Sequence, residues 1–545
     1  MNSGLYVLME NVMLKAYDVV IMGGGLSGLT LAIQLKRRIV NLRILIAEKA
    51  AYPMPEAAHK VGESSVEIAS YYFDKILGLK AELEKELPKL GLRFFYSYQG
   101  NQDIEQRIEL GPSTFPASKS YQIDRGRFEN SLIQRCQKLG VDFQGSCKIK
   151  DFTLGKNDHQ INLLKNDQEI SLRSKWLIDA SGRMSLLKRK LKLTKPAYHD
   201  LNASWFRINH QFKVDDWVSS QGWQDRVQEP RWLSTNHLLG KGYWVWIIPL
   251  ASGATSIGIV ADPKFHPYAE FNTFERAMQW LKKYEPQFAR IIAPHLDAFQ
   301  DFLTLKHYSY NCKKMFSADG WAITGDAGVF LDPFYSPGSD FIAMNNCFIT
   351  EQVVKQYAGE DIALQAAQYE KIFRTLFLAF GPVYEDQYAI MGNAKVMSIK
   401  VIWDFTLYWS GIALLFFRNK LTDLKFMQSA AIQLQQIYQL NIQVQGFFRE
   451  WAGVDLSTDE MSHTFINYSY IGFVQQLNKD LHKELTDAEL EQQLVQNIAF
   501  IKELANEIAT EVTGFYPELK EYAPEMQERS SNHLQDVFAQ LGNRL

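Results

Sequence analysis

The chain has 545 residues, of which 46% are hydrophobic and 22% charged, and a formal net charge of −3. That length accommodates two or three domains, or one large α/β body with an appendage. The composition is that of an ordinary globular protein, and the charge gives no electrostatic reason to expect nucleic acid as a partner. Cys136, Cys147, Cys312 and Cys347 lie far apart with no C-x-x-C pair, so neither a disulfide framework nor a cysteine zinc site is expected. His59, His210, His237 and His307 lack metal-ligand spacing, and no metal is assigned. Residues 1–16 read as a short amino extension without a cleavage site, which points to a cytoplasmic protein.

Val19 to Met22 is a short apolar run suited to a buried parallel strand. Gly23, Gly25 and Gly28 follow with G-x-G-x-x-G spacing, and Ser27 stands among them. The first glycine permits the tight turn, the second lets the backbone approach a pyrophosphate, and the third lets helix and strand pack closely. A helix over Leu29–Arg38 offers its amino end to an anion. A second strand, Arg43–Ala47, ends at Glu48, where a carboxylate can bind the hydroxyls of an adenosine ribose.

Further on, Trp176–Asp179 is an apolar strand leading to Ala-Ser-Gly-Arg183. Tyr243–Pro249 and Thr255–Val260 read as a hairpin in a mainly antiparallel sheet. Trp321–Thr324 is another strand, ending in Gly325, Asp326 and Gly328. Three sheet-edge loops converging on one extended ligand suit FAD, with Asp326 at the ribityl chain or pyrophosphate. From about residue 351 the chain reads as almost entirely helical. Val401–Phe417 is apolar except for Asp404; it is short for a spanning helix and reads as a buried or substrate-lining helix, with peripheral membrane contact as the alternative.

The fold class is therefore α/β. A Rossmann-type FAD-binding domain (17–200 and 305–350) carries an inserted, mainly antiparallel β-sheet substrate domain (201–304, with part of 90–125). A helical carboxyl-terminal region (351–545) follows.

These segments resemble the glutathione-reductase-type FAD fold of the aromatic hydroxylases and, more narrowly, the flavin-dependent halogenases. The resemblance rests on Val61-Gly-Glu63-Ser64, on Trp244-Val-Trp246-Ile-Ile-Pro249 (a W-x-W-x-I-P motif) and on Phe330-Leu-Asp-Pro333-Phe-Tyr335-Ser336-Pro-Gly338 (an F-x-x-P-x-x-S-x-G motif), with Phe95 and Gln122–Arg125 in support. It covers roughly residues 17 to 350. It implies an enzyme that uses reduced FAD, O2 and chloride or bromide to halogenate an electron-rich aromatic substrate, phenolic or pyrrolic, free or carrier-protein-bound. It implies Lys89 and Ser336 as catalytic residues, and Glu63, Arg125, Asp179, Pro333 and Gly338 as cofactor contacts beside the glycine loops. It further implies Gly338 and Ser339 as halide donors and Trp244, Trp246 and Tyr335 as the substrate pocket. With no second G-x-G-x-x-G, reduced FAD is expected from a separate flavin reductase or from NAD(P)H.

Two departures keep a second reading open. Tyr335 stands where tryptophan halogenases have Glu, which points away from tryptophan. Pro337 has no N–H where the resemblance expects a halide donor, so an FAD-dependent monooxygenase without a working halide site is the alternative.

Overall fold

The structure is a computed structural model that describes residues 15–57, 60–196, 200–455, 462–524 and 532–541. Most of the amino extension and His59 lie outside the described residues. The strand Lys15–Met22, whose last six residues are buried, pairs in parallel with Ile44–Ala47 on one side and Gln168–Asp179 on the other. Trp321–Ile323 continues the parallel order beyond Gln168–Asp179, and Asp142–Gln144 continues it beyond Ile44–Ala47. The register sets Met22 beside Asp179 and Asp179 beside Ile323. Three strand ends therefore open at one edge, where ligands bind in open α/β sheets.

Helix α1 (Leu26–Arg38) starts at that edge. Gly28 lies on it, and a Cβ there would sit 2.2 Å from the Gly23 carbonyl, so the close turn requires glycine. Short helix α2 (Glu67–Tyr71) and helix α3 (Arg125–Lys138) follow. The 20-residue helix α4 (Gly338–Tyr357) is held to α1 by the Asn346 side-chain amide, which donates to Ser27 O at 3.1 Å and Thr30 Oγ1 at 3.0 Å.

A second sheet has the order Phe299–Leu305, Asn202–Ile208, Thr255–Ala261, Tyr243–Pro249, Thr235–Gly240, Leu92–Tyr96, Glu109–Gly111, Phe465–Asn467. Strand alternation sends Trp244, Trp246 and Ile248 into the core shared with the first sheet, and Tyr243, Val245 and Ile247 into a separate core under the other face. Phe465–Asn467 was not expected inside a helical region. It pairs in parallel with Glu109–Gly111, and a three-residue strand is too short to show an alternation of its own.

The carboxyl-terminal helices include α5 (Ala363–Tyr384), α6 (Ala394–Leu407), α7 (Ala431–Val454) and α8 (Asp487–Phe515). Helix α6 runs on through a π-helical turn, Tyr408–Ala413, to Phe417. This stretch is the one described helix long and apolar enough to cross a membrane, and 83% of its apolar window is buried inside the protein. The exception in its sequence, Asp404, is buried and accepts from Lys400 Nζ at 2.6 Å, Gln445 Nε2 at 2.6 Å and Tyr335 Oη at 2.8 Å. An unpaired buried charge costs far more than a satisfied pair contributes. Asp404→Ala should therefore destabilise the protein by about 3–5 kcal/mol, while Asp404→Leu combined with Lys400→Met should recover much of that loss. Urea unfolding midpoints of the two variants check this.

Candidate active site

A cavity of about 740 Å³ runs along the carboxyl edge of the first sheet. Gly23, Gly25 and Ser27 line one stretch of it, and Gly325, Asp326, Pro333 and Ser336 line another. A Cβ on Gly25 would meet nothing within 4 Å, so this glycine leaves the backbone open to a ligand. Helix α1 has no side-chain cap. Neither has α4, where Pro337 is the N-cap residue and Gly338 and Ser339 open the first turn on the cavity wall. Two uncapped amino ends thus face one cavity, and uncapped helix starts present free N–H groups to anions. Pro337 lacks an N–H, but its place ahead of the helix leaves the donors of the first turn intact.

Glu48 lines the same cavity beside the glycine loop. Its carboxylate accepts from Gly24 N at 2.7 Å and from Ala50 N at 2.8 Å. Asp326 faces the cavity with no hydrogen bond to its carboxylate among the described residues; burial raises its pKa, against the pull of Arg125, Arg183 and Lys188. Arg125 lines the cavity and donates to Val61 O at 2.6 Å. Arg183 also lines it and lies over the Tyr310 ring at 5.1 Å. Arg183 was legible as the last residue of the Asp179–Arg183 loop but had no role assigned. An extended cavity with a glycine cradle, two anion-binding helix ends, two arginines and terminal acids fits FAD.

Two acids read from the sequence as cofactor contacts have their carboxylates engaged by the protein itself. Asp179 does not line the cavity: it is fully buried and its carboxylate holds the turn, accepting from Ser181 N at 3.0 Å, Ser181 Oγ at 2.6 Å and Leu187 N at 2.6 Å. Glu63 lines the cavity, but its oxygens are taken by Arg207 at 2.8 and 3.0 Å and by Ser256 at 3.1 Å. It ties the Val61–Ser64 segment to the second sheet. Trp244 and Trp246, expected at a substrate pocket, line the FAD cavity with ring centroids 5.7 Å apart. Their indole N–H groups donate to Tyr388 Oη at 2.8 Å and Ser256 Oγ at 3.2 Å. Same-face spacing was readable; which side that face meets was not.

A second cavity, of about 830 Å³, lies against the helical region. Pro337 belongs to the walls of both cavities. Lys89 lines the second one, on the short strand Leu87–Lys89, and is only 2% exposed. Its Nζ donates to Ser64 Oγ and to Ser65 O, each at 2.8 Å, and Ser64 itself lines the FAD cavity. The amine therefore stands at the partition. Burial pushes its pKa down to about 7, against the attraction of Glu67 and Asp340.

Tyr335, Glu67 and Asp340 share this second cavity. Tyr335 is anchored by its hydrogen bond to Asp404. Asp340 accepts from Tyr408 Oη at 2.7 Å and from Ala69 N at 2.9 Å, and burial pushes its pKa up to about 8. Glu67 is the first residue of α2 and is also buried; burial raises its pKa while Lys89 opposes that shift. Sequence reasoning gave Glu67 no role. Its one signal was its place three residues after Ser64, and that becomes informative only once Lys89 is seen to bond the same segment. Among the described residues no cluster could hold a metal ion.

A family model described as an FAD binding domain matches residues 16–237. The chain is 30% identical over 354 residues to a 1H-pyrrole-2-carbonyl-(peptidyl-carrier protein) brominase of Pseudoalteromonas luteoviolacea, covering 64% of this chain and 79% of the relative. It is 26% identical over 440 residues to the flavin-dependent halogenase chlA of Dictyostelium discoideum, covering 74% and 71%. The solved structure of halogenase PltM in complex with phloroglucinol and FAD shares the fold, with a TM-score of 0.62, 17% identity and coverage of 90% and 96%. The FAD-shaped cavity and these relationships agree: the chain belongs to the flavin-dependent halogenase family and is an FAD-dependent oxidoreductase.

Proposed function

We propose that this enzyme halogenates an electron-rich aromatic ring, a phenol or a pyrrole, by the net step Ar–H + HOX → Ar–X + H2O. The observation that carries this reading is the placement of Lys89 between two cavities, one shaped for FAD and one lined by aromatic and aliphatic side chains. Bound FAD, in its reduced form and with O2 and halide, would supply the oxidised halogen; a separate flavin reductase or NAD(P)H would supply the reducing equivalents. The free N–H groups of Gly338 and Ser339 at the start of α4 suit the halide. Trp244 and Trp246 wall the FAD cavity and keep the substrate ring on the other side of the partition.

In the second cavity the protonated Lys89 donates a hydrogen bond to the oxygen of HOX and presents the halogen to the ring. A ring carbon takes the halogen, the X–O bond breaks, and the departing hydroxide takes the Lys89 proton as water; the same ring carbon then loses its hydrogen as a proton to the neutral Lys89 amine, which restores the ammonium. A pKa near 7 suits a group that must both hold and release a proton at neutral pH. Glu67, on the wall of the same cavity, is the base for the phenolic proton, which raises the electron density of the ring before attack.

The direct test supplies FAD, a flavin reductase, NADH and bromide with a panel of phenols and pyrroles. The expected product is an organobromine formed only when bromide is present. A hydroxylated product that forms without halide would establish the monooxygenase alternative instead.

Glu67 has its own test. General-base assistance is worth about 10²–10⁴-fold, so Glu67→Gln should lower kcat/KM for a phenol by about 100-fold or more. The methyl ether of that phenol has no proton to give, and its slower halogenation should be nearly unchanged. An equal loss on both substrates would assign Glu67 to the structure of the cavity rather than to proton transfer.

A further inference from the structure

The second cavity is much larger than one aromatic ring requires, and its length can be read from the helices that line it. Helix α5 contributes wall residues from Gln368 to Tyr384. At 1.5 Å per residue this is about 24 Å of helix. The Tyr384 end is the reacting end, since its ring lies 6.0 Å from that of Tyr335. Helix α7 lines the same cavity from Ala431 to Asn441, about 15 Å. Its far end is again anchored near Tyr335, because Gln445, one turn beyond Asn441, binds the Asp404 carboxylate that Tyr335 also binds.

Charge is distributed unevenly along this length. Glu67, Lys89 and Asp340 cluster at the reacting end, and Asp404 is neutralised by Lys400. The next charge on the wall is Lys371, exposed and thirteen residues before Tyr384, about 20 Å away along α5. Between them the wall is mostly aliphatic, with Leu376, Ala379, Val383, Leu434 and Ile437, and it also carries the exposed polar side chains of Thr375, Gln435 and Gln439. The aliphatic part of this wall suits an alkyl chain, and a carrier-tethered arm, whose amides Thr375, Gln435 and Gln439 would meet, is the competing occupant.

We propose that the substrate is a free phenol bearing a long alkyl or acyl chain. The ring lies at Lys89 and Glu67, and the chain runs between α5 and α7 towards Lys371. The proposal rests on the halogenase reading only for what happens to the ring, so its test measures binding rather than turnover.

Resorcinol, 4-hexylresorcinol and 4-dodecylresorcinol would be titrated calorimetrically into the FAD-loaded protein, without halide or reductant. Burying a methylene is worth about fourfold in affinity, so binding should tighten about three- to fourfold per methylene until the chain reaches the mouth. Ala379→Trp and, separately, Ile437→Trp fill the channel beyond the ring. Each should weaken dodecylresorcinol at least 30-fold and leave resorcinol unchanged, with thermal unfolding confirming that both variants fold. Equal affinity across the three ligands would overturn the proposal, as would a chain-length dependence that survives both variants. Binding of a carrier-tethered phenol in preference to all free ones would overturn it too. Chain-dependent binding without bromination in the phenol panel would leave this inference standing and remove the halogenase reading.

Discussion

The rest of the site depends on a buried amine. Lys89 is almost fully desolvated, and an ammonium removed from water persists only if its N–H groups find acceptors and a negative charge lies near. Ser64 and Ser65 provide the acceptors, and Glu67 is the foremost carboxylate acting on the amine, with Asp340, its pKa pushed up to about 8 by burial, behind it. Each comes from an element that also builds something else. Ser64 follows Glu63, which is clamped by Arg207 of the second sheet. Asp340 lies in the first turn of α4, the helix whose amino end faces the FAD cavity. Glu67 opens α2. The requirement to keep one amine buried thus ties the dinucleotide sheet, the second sheet and the helices into a single partition.

On the far side, the helical region does more than cover a surface. The apolar stretch in and beyond α6 could be mistaken for a membrane segment because it must bury nearly all its faces. One side packs into the core, and another lines the substrate cavity through Phe405, Tyr408, Trp409 and Ile412. Its π-helical turn carries Tyr408 and Trp409, and such turns often mark functional positions because they re-aim side chains out of helical register. Tyr408 caps Asp340, and Asp404 caps Tyr335. A region that looked uninformative in sequence thereby sets the geometry of the reacting end.

What could be read from the sequence is what depends on neighbours along the chain. Gly23, Gly25, Gly28 and Glu48 act through one strand-turn-helix-strand unit, so their spacing alone located the cofactor edge. Alternation in Tyr243–Pro249 correctly put Trp244 and Trp246 on one face. It could not say that this face meets the FAD cavity, because that follows from how two sheets pack. Asp179 ended the right strand, but whether its carboxylate points to ligand or back into the turn depends on Ser181 and Leu187. The roles of Glu67, Asp340 and Asp404 could not be read from the sequence, since their meaning lies in partners about 20 to 270 positions away, such as Lys89, Tyr335 and Ala69.

In the proposed function the oxidised halogen is made in one cavity and used in the other, with Lys89 as the link. The most direct measurement compares the wild type with Lys89→Met, both loaded with FAD and supplied with reductase, NADH and bromide. Free hypobromous acid is trapped with monochlorodimedone, and brominated phenol is quantified alongside. The variant is predicted to keep trapping activity near the wild-type rate while phenol bromination falls by at least 100-fold. If Lys89→Met still brominates the phenol at the wild-type rate, or loses trapping and bromination together while retaining FAD and its melting temperature, the partition does not work as described.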